Sequence, residues 1–567
     1  MVNAVANLKN KILFGVFCLL IILFAFSLFK NIGYPLLWND EAETAMYATR
    51  ILNYGYPKVH DGRNVVYISS KIPVEAGIDG RSDAYLGGVW GQYYFGAIGE
   101  FFAQKTNDIY IKTAVLRIPF ALIGFIGVVI MALAVINIFK KRLTDKLLFL
   151  IFFVFLELLS VSLALHLREV RYYSLVVFLS AGIFYAYINY RFIEKINFAS
   201  YFFITTALLL FLFNTFPPTY FIFLISIGLY ESLDLLRRRR LKGFIINLSP
   251  LVASFITVIP FLIFFKIFSI GRGDLARAFQ ITLAVQYVKI ISLLHFFLKY
   301  EFLSLVLVVK LILVSVSFYL RRSDRLKSVN QEKMEEINRK AQISNFLSLF
   351  FVIYLLVITK VPVFVIYERY YIILQLVLVI VLLLDVLLIF EYISNISCSP
   401  VTKTRAKVII LFLISVTFLL GGLGKIGPVK NHIYEIFHRY QGPLDFVIPY
   451  IRTNYKNPEE LVIATNYEEY SYMYYLGSKT TIGHEDNNLE EDLMLQPDIV
   501  IFRKSYPQDI QIFNDFLQKE RYARVSFPCF DYPVNNIPES NVQLPPHLYK
   551  TKIAENEDER LDIYIRT

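Results

Sequence analysis

The sequence predicts an all-α polytopic membrane protein with about eleven transmembrane helices and a C-terminal soluble α/β domain. Hydrophobic residues make up 56% of the 567 residues, and the mean hydropathy is +0.52. Long apolar segments recur through most of the chain, and clusters of Lys and Arg separate them. Uncharged apolar runs of roughly 18 residues or more are typical of helices that cross a bilayer.

Eleven apolar segments make up the predicted membrane domain, residues 1–424. The first segment, residues 12–29, has no charged residue and too few small residues at its end to resemble a cleaved signal peptide. We therefore expect it to be retained as the first transmembrane helix. The later segments are residues 111–139, 147–165, 172–190, 199–213, 218–236, 243–269, 302–320, 345–359, 372–390 and 406–424.

The basic clusters between these segments predict the orientation in the membrane. The clusters begin at Lys140, Arg191, Arg237, Arg321 and Lys403. All fall on one side if the amino terminus is cytoplasmic, as the excess of Lys and Arg in cytoplasmic loops requires. The long loop 30–110 is then extracytoplasmic. A further span at residues 86–104 would put basic clusters outside, so we predict a re-entrant or surface-lying aromatic helix there.

Residues 425–567 are predicted to form an extracytoplasmic α/β domain. This segment has 15 Lys and Arg against 22 Asp and Glu, a net charge of −7, whereas the whole chain carries +11. A basic membrane part with an acidic tail fits a tail that has been translocated. Within it, residues 461–466 and 498–502 read as buried strands and residues 468–476 as a short helix.

The most informative local pattern is the acidic run that follows the first apolar segment. Asp40, Glu41 and Glu43 lie within four positions of one another where the first helix leaves the membrane. Carboxylates crowded against a hydrocarbon edge are poorly solvated and need a partner or a chemical task, such as general base catalysis. The alternative is structural, because acidic residues are also favoured in the first turn of a helix.

Arginine and tyrosine side chains at two other extracytoplasmic segments complete the candidate site. Residues 166–173 contain Arg168, Arg171 and Tyr172, and residues 367–371 contain Arg369 and Tyr370. The guanidinium group of arginine can bind two phosphate oxygens at once, and tyrosine is suited to the membrane–water interface. The set therefore predicts a pocket for an anionic lipid. Each residue alone could be an ordinary interface anchor; their convergence on one face favours a site.

The ordered set of motifs resembles the protein O-mannosyltransferase and aminoarabinose transferase superfamily. Matching segments are Trp38-Asn39-Asp40-Glu41-Ala42, Ile51 to Pro57, Asp61-Gly62, Gln92-Tyr93-Tyr94, Leu116-Arg117-Ile118-Pro119, Arg168 to Tyr172, and Glu368-Arg369-Tyr370. They cover about residues 30–375 in the family's order, and the tail lies outside the resemblance. The resemblance implies a GT-C fold and a glycosyltransferase that uses a polyprenyl-phosphate sugar.

The family also implies roles for these residues. Its first-loop aspartate is a catalytic base, which corresponds to Asp40, with Glu41 as a supporting acid. An inverting transfer to an acceptor hydroxyl, on a lipid, a glycan or a protein, follows from a single displacement. The resemblance and the positions of the charges together predict the residues that bind the donor phosphate. These are Arg168, Arg171, Tyr172, Arg369, Tyr370, Lys71 and Lys289.

Two departures from the family pattern bear on the chemistry. Relatives often have a Lys-Pro-Pro stretch late in the first loop, whereas this chain has Lys71-Ile72-Pro73. The chain also lacks an Asp-X-Asp pair of the oligosaccharyltransferase type around Asp40. We therefore expect a metal-independent enzyme without a cofactor.

The competing hypothesis is a lipid or polysaccharide transporter without chemistry. Glu157 and Lys310 fall within predicted spans and would suit a translocation path. Against this, the polar residues concentrate at one membrane face, and no pair of broken helices repeats in the two halves. Nucleic acid is not an expected partner, because topology accounts for the basic clusters.

Overall fold

The structure is a computed structural model that describes residues 2–66, 77–139, 143–267, 281–322, 331–361, 367–395, 400–482, 493–505, 510–519, 521–537 and 546–567. The helices are α1 (Val2–Phe29), α2 (Asn39–Tyr54), α3 (Gly91–Ala103), α4 (Ile109–Ile136), α5 (Leu143–Leu158), α6 (Val161–Leu167), α7 (Tyr173–Arg191), α8 (Phe198–Phe213), α9 (Pro217–Arg238), α10 (Leu241–Phe264), α11 (Leu283–Tyr300), α12 (Leu303–Arg322), α13 (Gln331–Ile358), α14 (Ile373–Asn395), α15 (Pro400–Phe437), α16 (Leu444–Asn454), α17 (Glu469–Leu476) and α18 (Ile510–Lys519). The strands are β1 (Val462–Thr465), β2 (Lys479–Ile482), β3 (Ile499–Phe502), β4 (Tyr522–Phe530) and β5 (Arg560–Arg566).

The predicted class, an all-α membrane protein with a C-terminal α/β domain, is confirmed. In the described ranges, nine helices are long and apolar enough to cross a membrane, and ten if the bent pair α5–α6 counts as one span. Two predicted spans, 199–213 and 302–320, correspond to apolar helices that are not among these nine, α8 and the segment Leu303–Tyr319 of α12. The multiple apolar helices make the chain an integral membrane protein.

The predicted span at 147–165 is broken. Helices α5 and α6 meet at an angle of 80°, and the break lies at Leu159 and Ser160, directly after the buried Glu157. Continuous hydrophobicity along this segment gave no sign of the bend. Because α6 turns away from the axis of α5, it carries the following segment, with Arg168 and Arg171, towards the end of α1.

Two helices lie at one end of the bundle. Helix α3 has 13 residues, or about 20 Å of length, which is too short to span a bilayer. In α11, Gln286 near the start donates to the carbonyl of Leu356 (2.9 Å) at the end of α13. Phe297 near its other end packs on Tyr371, at the start of α14. Helix α11 is long enough to cross a membrane, but its two ends contact the same end of the bundle, as a surface-lying helix would.

The C-terminal domain contains a five-stranded mixed sheet with the order β2-β1-β3-β5-β4. Strand β1 pairs in parallel with β2 and β3, and β5 pairs antiparallel with β3 and β4. The predicted strands and the short helix correspond to β1, β3 and α17. Helix α15 continues without a break from Pro400 to Phe437, so the predicted domain boundary at residue 425 falls inside a helix.

Candidate active site

Helix α2 places the acidic run at the base of the first loop. Trp38 is extended (φ −77°, ψ 172°) and Asn39 begins the helix, so Asp40 and Glu41 lie in the first turn. Their negative charge is favourable at the positive end of the helix dipole. The helix ends at Gly55, whose φ of 83° is in the left-handed region that glycine adopts without strain.

Two predicted arginines from distant segments converge on Asp40. Nη1 of Arg369 lies 3.0 Å from Oδ2 of Asp40, and Nη2 of Arg171 lies 3.7 Å from the same oxygen. Arg171 also donates through Nη1 to the backbone carbonyl of Asp40 and to Oε2 of Glu43, both at 2.9 Å. We call Asp40, Glu43, Arg171 and Arg369 the Asp40 cluster.

The Asp40 cluster is largely enclosed but keeps Asp40 accessible. The side chain of Asp40 is 29% exposed, whereas those of Arg171 and Arg369 are 13% and 14% exposed. Burial opposes the positive charge of Arg171, but Asp40 and Glu43 outweigh it and raise the pKa of Arg171 above its ordinary value. The guanidinium therefore stays charged, and the two carboxylates balance the two cations.

Aromatic rings border the cluster on one side. Tyr172 and Tyr370, both predicted, each stack on Phe216, with ring centroids 4.7 and 6.2 Å from it and interplanar angles of 12° and 11°. The guanidinium of Arg369 lies 4.8 Å from the ring centre of Tyr367 and 5.6 Å from that of Trp38. These contacts hold Arg369 in a partly apolar surrounding, where its hydrogen bonds are stronger than in water.

Glu41 points away from Asp40 into the protein. Its carboxylate is completely buried and accepts two hydrogen bonds from Arg117, at 2.8 and 2.5 Å. The backbone N–H of Val170 donates to it as well, at 2.9 Å. Glu41 therefore ties α2 to α4 and to the segment that carries Arg171, which is a supporting position.

The remaining predicted cations lie elsewhere. Arg168 is buried and donates to the carbonyl of Lys30 (3.2 Å), beside α1. Lys289 is buried and donates to the carbonyl of Val361 (2.9 Å). Lys71 lies outside the described residues. The structure thus brings Arg171, Arg369, Tyr172 and Tyr370 together around Asp40.

Four side chains in or beside the Asp40 cluster were not among the predicted site residues. Glu43 lies one helical turn after Asp40 and shares Arg171, and that i, i+3 spacing could have indicated it. Tyr93 reaches Glu43 (3.4 Å) from α3, and Phe216 had no signal in the sequence. Glu368, next to Arg369, is buried, and this burial raises its pKa to about 7.

A cavity of about 280 Å³ lies at the other end of α7, among Arg191, Glu231, Asp234 and Arg238. These charges already pair with one another: Arg191 lies 2.8 Å from Glu231 and 2.6 Å from Asp234, and Arg238 lies 2.9 Å from Asp234.

Within the described ranges, no group of three or more His, Cys, Asp or Glu side chains is arranged to hold a metal ion.

Solved structures similar to this chain include one protein in two states. ArnT from Cupriavidus metallidurans bound to undecaprenyl phosphate matches with a TM-score of 0.47 and 12% identity over 97% of each chain. The same protein in the apo state matches with a TM-score of 0.43 and 12% identity over 97% of each chain. No protein-family model matches the chain, and no curated protein matches it. With TM-scores below 0.5, these likenesses fix neither an activity nor a substrate.

Proposed function

We propose that the protein is a GT-C type glycosyltransferase. It transfers a hexosyl or pentosyl group from a polyprenyl-phosphate donor to an acceptor hydroxyl on the extracytoplasmic face. The observation that carries the proposal is the Asp40 cluster, in which a partly exposed carboxylate is held by two less exposed arginines at the end of membrane-crossing helices. The ordered motif resemblance around the same residues supports it.

The arginines are suited to the phosphate of the donor. Nε of Arg171 and Nε of Arg369 are both buried and have no hydrogen-bond partner among the residues that the structure describes. Buried donors without a partner are costly, and an entering phosphate oxygen would satisfy them. Tyr172 and Tyr370 would flank the phosphate at the membrane interface. Arg168 and Lys289 already donate to the carbonyls of Lys30 and Val361. We therefore assign the direct contacts with the donor phosphate to Arg171 and Arg369.

Asp40 acts as the general base in this proposal. Both ion pairs use Oδ2 of Asp40. We assign the other oxygen, Oδ1, to the hydrogen bond from the acceptor hydroxyl. Asp40 takes the hydroxyl proton, the acceptor oxygen bonds to the anomeric carbon, and the bond from that carbon to the phosphate breaks on the opposite side. The sugar is inverted, and the polyprenyl phosphate leaves with its negative charge stabilised by the guanidiniums.

The transporter alternative loses one of its two supports. Lys310 lies 2.8 Å from Asp385 and 2.9 Å from the hydroxyl of Ser344, so its charge is paired inside the bundle. Glu157 is completely buried, and neither of its carboxylate oxygens has a hydrogen-bond partner among the described residues. A buried acid at a helix break is compatible with either function and does not favour transport.

The deciding experiment incubates the purified protein in lipid with a panel of radiolabelled polyprenyl-phosphate sugars and candidate acceptors. An enzyme consumes one donor and releases polyprenyl phosphate, and mass spectrometry of the product identifies the sugar and the acceptor. A transporter moves lipid between leaflets and leaves every donor intact. Asp83→Asn is the matched control variant, because Asp83 belongs to the same loop and its side chain is 28% exposed.

A further inference from the structure

We propose that the C-terminal domain positions Asp40 through a short strap, residues 36–39. This inference rests on the proposed function and adds two positioning residues to it, Ser471 and Tyr475 of helix α17. Neither side chain contacts the Asp40 cluster. They act through the backbone that leads into it.

Side chains of the C-terminal domain bind the strap along its whole length. The N–H of Leu37 donates to Oη of Tyr475 (3.1 Å), and the carbonyl of Leu37 accepts from Oγ of Ser471 (2.8 Å). One residue earlier, the N–H of Leu36 donates to Oδ1 of Asp445 (3.3 Å). Both backbone groups of Leu37, three positions before Asp40, are therefore satisfied by α17.

The start of α2 depends on these contacts because its own cap is weak. Trp38 is the N-cap residue, and its side chain makes no capping hydrogen bond. Ser, Thr, Asp or Asn at this position would fix the first turn locally. Here the direction of the first turn, and with it the position of the Asp40 carboxylate, is set from outside the helix by the strap.

Packing makes the contact between the strap and the domain rigid. Tyr475 is buried, and its hydroxyl also lies 2.5 Å from Oγ1 of Thr113 in α4. Buried side chains of α2, such as Ala45 and Tyr47, belong to the same apolar core as Ile463 and Ile501 of the sheet. The domain therefore shares one core with the loop that holds the proposed base, and it is not an appendage to it.

Trp38 lets the strap be observed without any assay of transfer. The chain has only two tryptophans, Trp38 and Trp90. Trp38 lies in the strap, is 6% exposed and packs against Arg369, whose guanidinium is 5.6 Å from its ring. In a Trp90→Phe background, tryptophan fluorescence therefore reports on the strap alone.

The test compares the double variant Ser471→Ala/Tyr475→Phe with Ser478→Ala, in the full-length protein. Ser478 donates to the carbonyl of Pro458 at 2.7 Å, a similar bond that stays within the C-terminal domain. In the double variant we expect acrylamide to quench Trp38 more strongly and kcat to fall about tenfold or more, since a displacement of about 1 Å can cost about 100-fold. The Kd for undecaprenyl phosphate should match that of Ser478→Ala, because Arg171 and Arg369 are retained.

Each outcome decides the inference. Quenching and kcat equal to those of the Ser478→Ala control would overturn it, and so would a loss of kcat without any change at Trp38. If the double variant fails to fold, the single variant Tyr475→Phe, which removes one hydroxyl, takes its place. If no donor is consumed by the unmodified protein, the proposed function fails, while quenching of Trp38 still shows whether α17 holds the strap.

Discussion

At the scale of single residues, Asp40 and Glu41 show how neighbouring acids come to lie in different surroundings. Successive residues of a helix point about 100° apart, so one carboxylate faces the Asp40 cluster and the other faces the core. Asp40 is 29% exposed and pairs with two arginines, whereas Glu41 is fully buried against Arg117. The sequence pair alone did not distinguish these surroundings.

Asp40→Asn is expected to abolish transfer while leaving donor binding largely intact. The amide keeps the size of the side chain but cannot accept a proton at neutral pH. Loss of a general base typically lowers the rate by about 100- to 10,000-fold. The measurement is turnover at matched amounts of folded protein, with Asp83→Asn as the control. Normal turnover by the Asp40 variant would remove Asp40 from the role of base.

Glu41→Gln is expected to lower stability more than Asp40→Asn does. It leaves the buried guanidinium of Arg117 without its anionic partner, and breaking a buried pair in this way costs about 3–5 kcal/mol. Thermal unfolding in detergent, compared with the unmodified protein, measures the loss. Turnover per folded molecule should fall less than in Asp40→Asn, and equal stability of the two variants would contradict the supporting role.

Arg171→Ala and Arg369→Ala are each expected to weaken the binding of undecaprenyl phosphate. A charged hydrogen bond to phosphate is worth about 1.5–3 kcal/mol, or about tenfold or more in Kd. Arg452→Ala is the control, because Arg452 is exposed and donates to the carbonyl of Asn107. Titration of the lipid against each variant gives the Kd. Unchanged affinity in both cluster variants would return these arginines to the role of interface anchors.

At the scale of elements, α3 is the clearest case of a helix that the sequence assigned to the membrane surface. Its exposed face carries Tyr94, Ile98, Phe101 and Phe102, while Lys105 lies 4.3 Å from the ring of Phe101. An apolar face with a lysine at its end is typical of a helix in the interface. The opposite face packs on α2, so this prediction would also place the helix that holds Asp40 close to the membrane surface.

Trp90, at the start of α3, is expected to lie near the lipid headgroups. In a Trp38→Phe variant, bromines close to the headgroup should quench its fluorescence more than bromines at the ends of the acyl chains. Trp38 alone, in Trp90→Phe, should be quenched weakly by either lipid, because it is 6% exposed. Stronger quenching of Trp90 by the deep bromines would indicate that this segment crosses the membrane.

Hydrophobic length predicted most of the helices, and local motifs predicted the residues around Asp40. Neither hydrophobic length nor the motifs could predict the bend between α5 and α6, because the apolar pattern continues through it. Phe216 and Tyr93 join the site only through packing between separate segments. The antiparallel strands β4 and β5 were missed, since half-exposed strands with charged residues carry a weak apolar signal.

At the scale of the whole molecule, Asp445 makes the contact between the domain and the first loop sensitive to pH. It is buried, accepts hydrogen bonds from Leu36 and Gly442 (3.3 and 2.8 Å), and burial raises its pKa to about 7. Unfolding returns this pKa to its ordinary value of 3.8. The folded protein therefore binds an extra proton between these values, so stability declines as pH rises from about 4 and levels off above about 7.

Asp445→Asn should flatten this decline. The amide carries no charge to bury at any pH, so its free energy of unfolding should vary less between about pH 4 and 8 than that of the unmodified protein. Chemical denaturation at a series of pH values measures the difference between the two proteins. Parallel curves would show that Asp445 does not titrate in this interval.

Because the first loop and the C-terminal sheet share one core, the first loop can complete its packing only after the C-terminal domain has been synthesised and exported. In the proposed orientation, the ribosome delivers loop 30–110 to the extracytoplasmic side early, when Ser471, Tyr475 and strand β5 (Arg560–Arg566) have not yet been synthesised. While the later helices are inserted, the strap before Asp40 therefore lacks its contacts with Ser471 and Tyr475. The proposed base is therefore held by its strap partners only after α17 and the sheet have been exported. Under the proposed function, transfer therefore requires that the C-terminal domain has been exported and has folded against the first loop.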